Sequence, residues 1–210
     1  MITSLPNLLS LSRIGVVPVV VALFYWDSPV AGWVACGLFS VACITDFFDG
    51  YVARSRRQAT NLGRILDPIA DKLLVGAAII MLVAFDKAPV LPALVILCRE
   101  LFVSGLREFL AKLRVGVPVS RLAKWKTTVQ MVAIAFLLVG DSGPVFVEPY
   151  LTAWWVGGAL LWLAAGLSLV TGYDYLRAGL KHLMAASAKV EAGERRAASV
   201  RAAKPSSTVG

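Results

Sequence analysis

The chain has 210 residues, of which 58% are hydrophobic, a mean hydropathy of +0.75 and a formal net charge of +8. This apolar content exceeds what the core of a soluble domain of this size requires, and it argues against an ordinary water-soluble protein. The length predicts a single principal domain.

Six apolar segments follow one another along the chain. They lie near residues 8–26, 30–49, 65–85, 89–110, 125–140 and 151–176. Each is long enough, or nearly so, to cross about 30 Å of hydrocarbon as a helix. Turn-forming stops with acidic character begin at Asp27, Asp86 and Asp141. The sequence therefore predicts an all-α integral membrane protein, a bundle of six transmembrane helices.

The positive charges predict how this bundle is oriented. With both termini in the cytoplasm, the outer loops lie near 27–29, 86–88 and 141–150, and of the 21 Lys and Arg residues only Lys87 falls in them. Most of the others lie at or beyond the cytoplasmic ends of the segments, as the positive-inside rule requires. The alternative is a water-soluble helical bundle, which this asymmetry disfavours.

Four aspartates lie at the predicted cytoplasmic ends of the second and third segments, in two pairs: Asp46 with Asp49, and Asp67 with Asp71. Helical spacing places each pair on one face of its helix, together with small residues. The small residues on these faces are Gly50, Ala53 and Gly63. A bulky ligand can approach such a surface closely.

Four carboxylates that converge from two helices repel one another unless cations lie between them. Oxygen-rich sites of this kind suit Mg²⁺, Mn²⁺ or Ca²⁺, which commonly accompany phosphate groups. The alternative is that these acids form helix caps and salt bridges with nearby basic residues: Arg54, Arg56, Arg57, Arg64 and Lys72. Ionisable groups at this depth are costly and usually face a cavity in which they act, which favours the metal site.

The fourth and fifth segments add positive charge at the same level. Arg107 can clamp a phosphate with two hydrogen bonds, and it forms a basic cluster with Lys124 and Lys126. Two alternatives remain open: Glu100 and Arg107 share a helix face and can form an intrahelical ion pair, and the two lysines can extend toward the membrane interface.

The stretch from Asp46 to Asp71 matches the pattern D-x2-D-G-x2-A-R-x8-G-x3-D-x3-D at every specified position. It therefore resembles the CDP-alcohol phosphatidyltransferase family. The resemblance implies an enzyme that uses two Mg²⁺ or Mn²⁺ ions and displaces CMP from a CDP-linked lipid with an alcohol. Three further stretches, beginning at Pro6, Ser104 and Leu122, look like the phosphatidylglycerophosphate synthases of bacteria within that family.

The resemblance implies CDP-diacylglycerol and sn-glycerol 3-phosphate as substrates, and phosphatidylglycerophosphate and CMP as products. Other acceptors remain open, as in a cardiolipin synthase or a phosphatidylinositol phosphate synthase, and a cation transporter is a more distant alternative. The implied setting is a multi-pass protein of the bacterial inner membrane, in contact with membrane lipid, with its active site facing the cytoplasm. A homodimer is implied, and a nucleic-acid partner is not.

The resemblance also implies a role for each site residue. The metal ligands are Asp46, Asp49, Asp67 and Asp71, and Asp71 is also the catalytic base. The CDP-lipid is bound by Asn7, Gly50, Ala53, Arg54, Thr60 and Gly63, and the acceptor phosphate by Arg107, Lys124 and Lys126. We expect residues 1–182 to form the membrane-embedded catalytic domain. The Ala-, Lys- and Ser-rich composition of the remainder predicts that residues 183–210 form a basic cytoplasmic tail that is partly disordered.

Overall fold

The structure is a computed structural model of the whole chain. It describes the backbone of residues 5–26, 28–56, 61–112, 121–140, 145–147 and 151–202. Side chains are described for residues 10–26, 28–45, 69–112, 122–140, 152–181 and 184.

Six helices account for nearly all of the described residues. They are α1 (Leu5–Phe24), α2 (Pro29–Arg56), α3 (Asn61–Ala84), α4 (Val90–Lys112), α5 (Arg121–Val139) and α6 (Ala153–Ala202). Each contains most or all of one of the six apolar segments, so the prediction of six helices in an essentially all-α fold is confirmed. Helix α6 continues well past the last apolar segment, through most of the basic tail.

A small antiparallel hairpin between α5 and α6 was not predicted. Strand β1 (Val145–Val147) pairs with strand β2 (Leu151–Thr152), with Val145 opposite Thr152 and Val147 opposite Leu151. Both strands contain β-branched residues, which fit a pleated backbone well. The hairpin connects the end of one long helix to the start of the next.

The turn between α3 and α4 shows how the chain reverses at a predicted stop. Asp86 has a φ of 55°, in the left-handed region that Asp adopts more readily than most residues. The amide of Lys87 donates to the carbonyl of Leu82 over 2.8 Å, and the amide of Asp86 donates to Val83 over 3.1 Å. These two bonds close the helix as a Schellman motif and satisfy carbonyls that would otherwise lack partners.

The helices enclose one main hydrophobic core. Helix α1 packs against α2 and α3, while α6 packs against α4 and α5. Large side chains from α2 to α6 meet in the middle and are almost completely buried: Phe39, Leu74, Ile79, Leu82, Ile96, Ile134, Leu137 and Leu161.

Two glycines let helices approach α5 closely. A Cβ atom on Gly32 of α2 would lie 2.8 Å from the backbone carbonyl oxygen of Leu138, and one on Gly157 of α6 would lie 2.8 Å from Cγ of Leu137. Real Cβ atoms are almost never this close to another heavy atom, so any larger residue forces the helices apart. Small residues of this kind are typical of helix contacts within membranes.

Two segments within the described residues are long and apolar enough to cross a membrane, Leu122–Val139 and Ala153–Lys181. Two further helical segments are also apolar but shorter, Ser10–Phe24 and Pro29–Thr45. Many large apolar side chains also point outward, such as Leu101 at 69% exposure and Leu169 at 60%. The number of spans and the side on which the termini lie stay predictions.

Candidate active site

The two halves of the aspartate motif lie on separate helices. Helix α2 extends to Arg56 and so includes Asp46 and Asp49, while α3 begins at Asn61 and includes Asp67 and Asp71. Each pair is therefore separated by about one helical turn, as the spacing predicts. Gly50, Ala53 and Arg54 lie on α2, Gly63 lies on α3 and Asn7 lies on α1.

Most of the predicted site lies outside the side chains that the structure describes. Thr60 lies outside the described residues altogether. Only the backbone is described for Asn7, Asp46, Asp49, Gly50, Ala53, Arg54, Gly63 and Asp67. Of the four predicted metal ligands, Asp71 is the one whose side chain is described, and it is half-buried. The metal site and the nucleotide site stay predictions.

Asp71 borders a cavity of about 260 Å³ between α3, α4 and α5. Polar side chains from all three helices line it: Asp71, Lys72, Glu100, Thr127 and Gln130. The rest of the wall is apolar, made by Val75, Gly76, Ile80, Leu97, Leu101 and Met131. The predicted base therefore faces a space that can hold a small molecule with both polar and apolar parts.

A buried charge network stands beside this cavity. Lys126 of α5 is 1% exposed and forms an ion pair with Oε1 of Glu100 on α4. Nη1 of Arg99 lies 3.5 Å from the same oxygen, and Nη2 of Arg99 donates a 3.0 Å hydrogen bond to the hydroxyl of Thr171 on α6. One carboxylate thus faces two cations, and the network ties α4, α5 and α6 together. Lys126 also lies within electrostatic range of Asp71.

The intrahelical pair between Glu100 and Arg107 is not formed, and that interpretation is wrong. Glu100 is engaged by Lys126 instead. Arg107 turns toward α6, where its Nε donates to the hydroxyl of Tyr175 over 3.3 Å and its guanidinium carbon lies 5.5 Å from the ring centroid. Interfacial extension is also wrong for Lys126, which is buried. The three residues predicted to bind the acceptor phosphate differ: Arg107 and Lys124 are exposed, and Lys126 is not.

The sequence matches the CDP-alcohol phosphatidyltransferase family over residues 3–170. This stretch contains the whole aspartate motif, the cavity and most of the charge network. The chain belongs to the CDP-alcohol phosphatidyltransferase family. The predicted resemblance is thereby confirmed, and the chain is an enzyme of the transferase class.

Several relatives of this phosphatidyltransferase carry the name CDP-diacylglycerol–glycerol-3-phosphate 3-phosphatidyltransferase. One from Rickettsia bellii (strain RML369-C) is 50% identical over 179 residues, which cover 85% of this chain and 97% of the relative. Those from Cereibacter sphaeroides and Shigella flexneri serotype 5b are each 39% identical and cover 86% of this chain and 97% of the relative.

Two features of the phosphatidyltransferase site were not assigned from sequence. Gln130 stands at 3% exposure on the wall of the cavity, and no role was predicted for it. The partnership of Glu100 with Lys126 joins residues 26 positions apart on different helices. The sequence offers one signal for this pair: a carboxylate and an ammonium interrupt two apolar segments at a similar predicted depth in the membrane. Buried charges are nearly always paired, so such a coincidence suggests an ion pair.

Proposed function

We propose that this phosphatidyltransferase transfers the phosphatidyl group of CDP-diacylglycerol to sn-glycerol 3-phosphate, which yields phosphatidylglycerophosphate and CMP. The observation that carries the proposal is the 50% identity, over 85% of the chain, to a relative with the name of that activity. The cavity beside Asp71 supports it, because the reaction requires a small polar acceptor next to a base.

Asp46, Asp49, Asp67 and Asp71 would hold two Mg²⁺ or Mn²⁺ ions. The donor set fits these ions, since carboxylate oxygens are hard ligands and the two pairs lie on α2 and α3 at helical spacing. Bound there, the ions supply charge neutralisation for the diphosphate and for the departing CMP. The proposal requires that CMP release stops when EDTA is added and returns when Mg²⁺ or Mn²⁺ is restored in excess.

Asp71 would act as the general base. Its carboxylate takes the proton from the 1-hydroxyl of the acceptor as that oxygen attacks the β-phosphorus of CDP-diacylglycerol. The bond from this phosphorus to the bridging oxygen breaks, and CMP leaves with the bonding electrons. The proton then passes from Asp71 to water. A carboxylate is a weak base, so position matters more than basicity in this step.

The other predicted binding residues divide between the two substrates. Gly50, Ala53 and Gly63 would admit the cytidine and ribose, and Asn7, Arg54 and Thr60 would contact the nucleotide phosphates. Arg107 and Lys124, both exposed, would bind the acceptor phosphate. Lys126 can join them only by sharing its ammonium between the phosphate and Glu100, because that carboxylate already holds it.

The same proposal includes the setting of the enzyme: six spans in the bacterial inner membrane, both termini and the active site on the cytoplasmic side, and a homodimer. The apolar exterior supports burial in lipid, since side chains such as Leu163 and Leu169 are more than half exposed. In intact cells of a variant with the three native cysteines removed, a membrane-impermeant maleimide should label Lys87→Cys and leave Ser55→Cys unlabelled. Light scattering in detergent should give the mass of two chains.

The deciding experiment is an acceptor panel with purified protein in detergent micelles. CMP release from CDP-diacylglycerol is measured with sn-glycerol 3-phosphate, phosphatidylglycerol or inositol phosphate as the acceptor. We expect rapid release with sn-glycerol 3-phosphate alone. Release with phosphatidylglycerol or inositol phosphate, and none with glycerol 3-phosphate, would assign a different acceptor. No release with any acceptor in the presence of Mg²⁺ or Mn²⁺ would reject the enzymatic assignment.

A further inference from the structure

Gln130 is a buried amide for which the packing of the helices gives no reason. It lies on α5, is 3% exposed and borders the cavity that Asp71 also lines. Its carbonyl oxygen Oε1 is buried and has no hydrogen-bond partner among the described residues. A buried acceptor without a partner is costly, and such groups in folded proteins usually meet a ligand or an ordered water.

The chemistry of the cavity selects what that partner can be. The amide oxygen of Gln130 is an acceptor, and it lines the same space as the carboxylate of Asp71, the predicted base. Lys72 and Thr127 also line the cavity, but neither donates to this oxygen. The missing partner is therefore a donor that enters the cavity, such as a hydroxyl group. The proposed function places the ribose hydroxyls of CDP-diacylglycerol beside Gly50, Ala53 and Gly63, and its ester and diphosphate oxygens are acceptors only. Glycerol 3-phosphate, by contrast, brings two adjacent hydroxyls to the base.

The cavity is also of a suitable size. Its volume of about 260 Å³ admits a three-carbon diol, since one molecule of liquid water occupies about 30 Å³. Its apolar wall, from Val75 to Met131, offers contact to the carbon chain. The proposed function assigns the phosphate of such a ligand to the exposed cations Arg107 and Lys124, which leaves its carbon chain and hydroxyls for the cavity.

We infer that Gln130 determines specificity for the acceptor by binding its 2-hydroxyl while Asp71 receives the proton of its 1-hydroxyl. This inference rests on the proposed function and adds to it the residue that distinguishes a vicinal diol from a simple alcohol. A site that bonds a hydroxyl rejects the analogue without it, because the buried polar group is then left unpaired.

The test compares two acceptors, sn-glycerol 3-phosphate and 3-hydroxypropyl phosphate, which lacks the secondary hydroxyl. The wild-type protein should prefer the first in kcat/KM by about tenfold or more, the size expected for one buried hydrogen bond. In Gln130→Met, which keeps the side-chain volume, this preference should fall to within about twofold of one. The KM for CDP-diacylglycerol should stay unchanged, which also shows that the variant is folded.

Thr128→Val is the matched control, because Thr128 lies two residues away on α5, is exposed and donates its hydroxyl to the carbonyl of Lys124 over 3.3 Å. It should retain the wild-type preference. If Gln130→Met does not fold, Gln130→Asn, which keeps the amide but withdraws it by one methylene, should reduce the preference partly.

The outcomes separate the two proposals. If the wild-type protein releases CMP with glycerol 3-phosphate but Gln130→Met lowers kcat/KM equally for both acceptors, the amide is only structural and the inference is wrong. A change confined to the KM for CDP-diacylglycerol would place the lipid in the cavity and also reject it. If the wild-type protein is inert with glycerol 3-phosphate, the proposed function itself fails and the inference fails with it.

Discussion

Two cavities lie at different levels of the helical bundle and differ in both size and lining. The larger, of about 520 Å³, is bounded by the ends of α1, α3 and α5 and the start of α2, and among the described residues that line it only Lys87 is charged. The smaller, of about 260 Å³, holds Asp71, Lys72 and Glu100. Volume alone would favour the larger cavity as the active site, whereas the placement of titratable groups favours the smaller one.

The lysine at the larger cavity, Lys87, and the lysine beside the smaller one, Lys126, are stabilised in different ways. The ammonium of Lys87 lies 5.7 Å from the ring centroid of Phe24, and Trp154 donates its Nε1 to the Lys87 carbonyl over 3.0 Å. Phe85 packs edge-on against Tyr25 in the same aromatic group. Lys126, by contrast, is buried against a carboxylate. Aromatic rings stabilise a cation that keeps much of its hydration, and a buried ammonium requires an opposite charge.

The largest effect should follow from Asp71→Asn at the smaller cavity. This change keeps the size of the side chain and removes both the base and one predicted metal ligand. We expect kcat to fall by about a thousandfold, within the range for loss of a general base. CMP release over time measures it. A variant that stays folded and retains more than a tenth of wild-type activity would show that another group takes the proton.

A large effect on stability should follow from Glu100→Gln in the charge network. Loss of the carboxylate leaves the ammonium of Lys126 buried without an opposite charge, beside the cationic Arg99. We expect the free energy of unfolding to fall by about 3 kcal/mol, at the lower end for a broken buried pair because Glu100 is 28% exposed. Unfolding by SDS in mixed micelles measures it.

Helix α4 supplies a matched control for that measurement. Glu108 and Lys112 form an ion pair of 3.6 Å in which each side chain is 75% exposed. Glu108→Gln should change the free energy of unfolding by less than about 0.5 kcal/mol, since exposed pairs contribute little. In the double variant Glu100→Gln with Lys126→Met, most of the lost stability should return. Equal effects of the two Gln substitutions would contradict the role given to burial.

The helices could be predicted because their signals are local. Apolar segments of membrane-spanning length predict helices, and the stop at Asp86 predicts a turn that the structure confirms with a positive φ. The hairpin at Val145 escaped prediction because two- and three-residue strands depend on their pairing partner more than on their own composition.

The site residues that belong to a sequence motif could be predicted. The contacts that depend on how the helices pack against one another could not. Four aspartates at helical spacing identify a family and its chemistry. The partners of Glu100 could not be predicted, because Arg99, Arg107 and Lys126 are all plausible by sequence. Only the packing of α4 against α5 and α6 places Lys126 beside Glu100, together with Arg99, and turns Arg107 toward Tyr175. Gln130 stands out in the sequence only as a polar residue near the cytoplasmic end of the fifth apolar segment. That position assigns no role, since one amide in an apolar helix can be satisfied in many ways.

Of the substitutions at the two cavities, Lys87→Met at the larger one should have the smaller effect. Phe24 and Phe85, with centroids 5.5 Å apart, remain packed without the ammonium, and the backbone carbonyl that accepts from Trp154 is retained. We expect the free energy of unfolding to fall by less than about 1 kcal/mol, the usual limit for a cation–π contact near solvent, with kcat unchanged. Lys87→Arg, which preserves the cation, should match the wild type in both measurements. A tenfold loss of activity in Lys87→Met would mean that the larger cavity takes part in the reaction, and the contrast between the two levels would no longer hold.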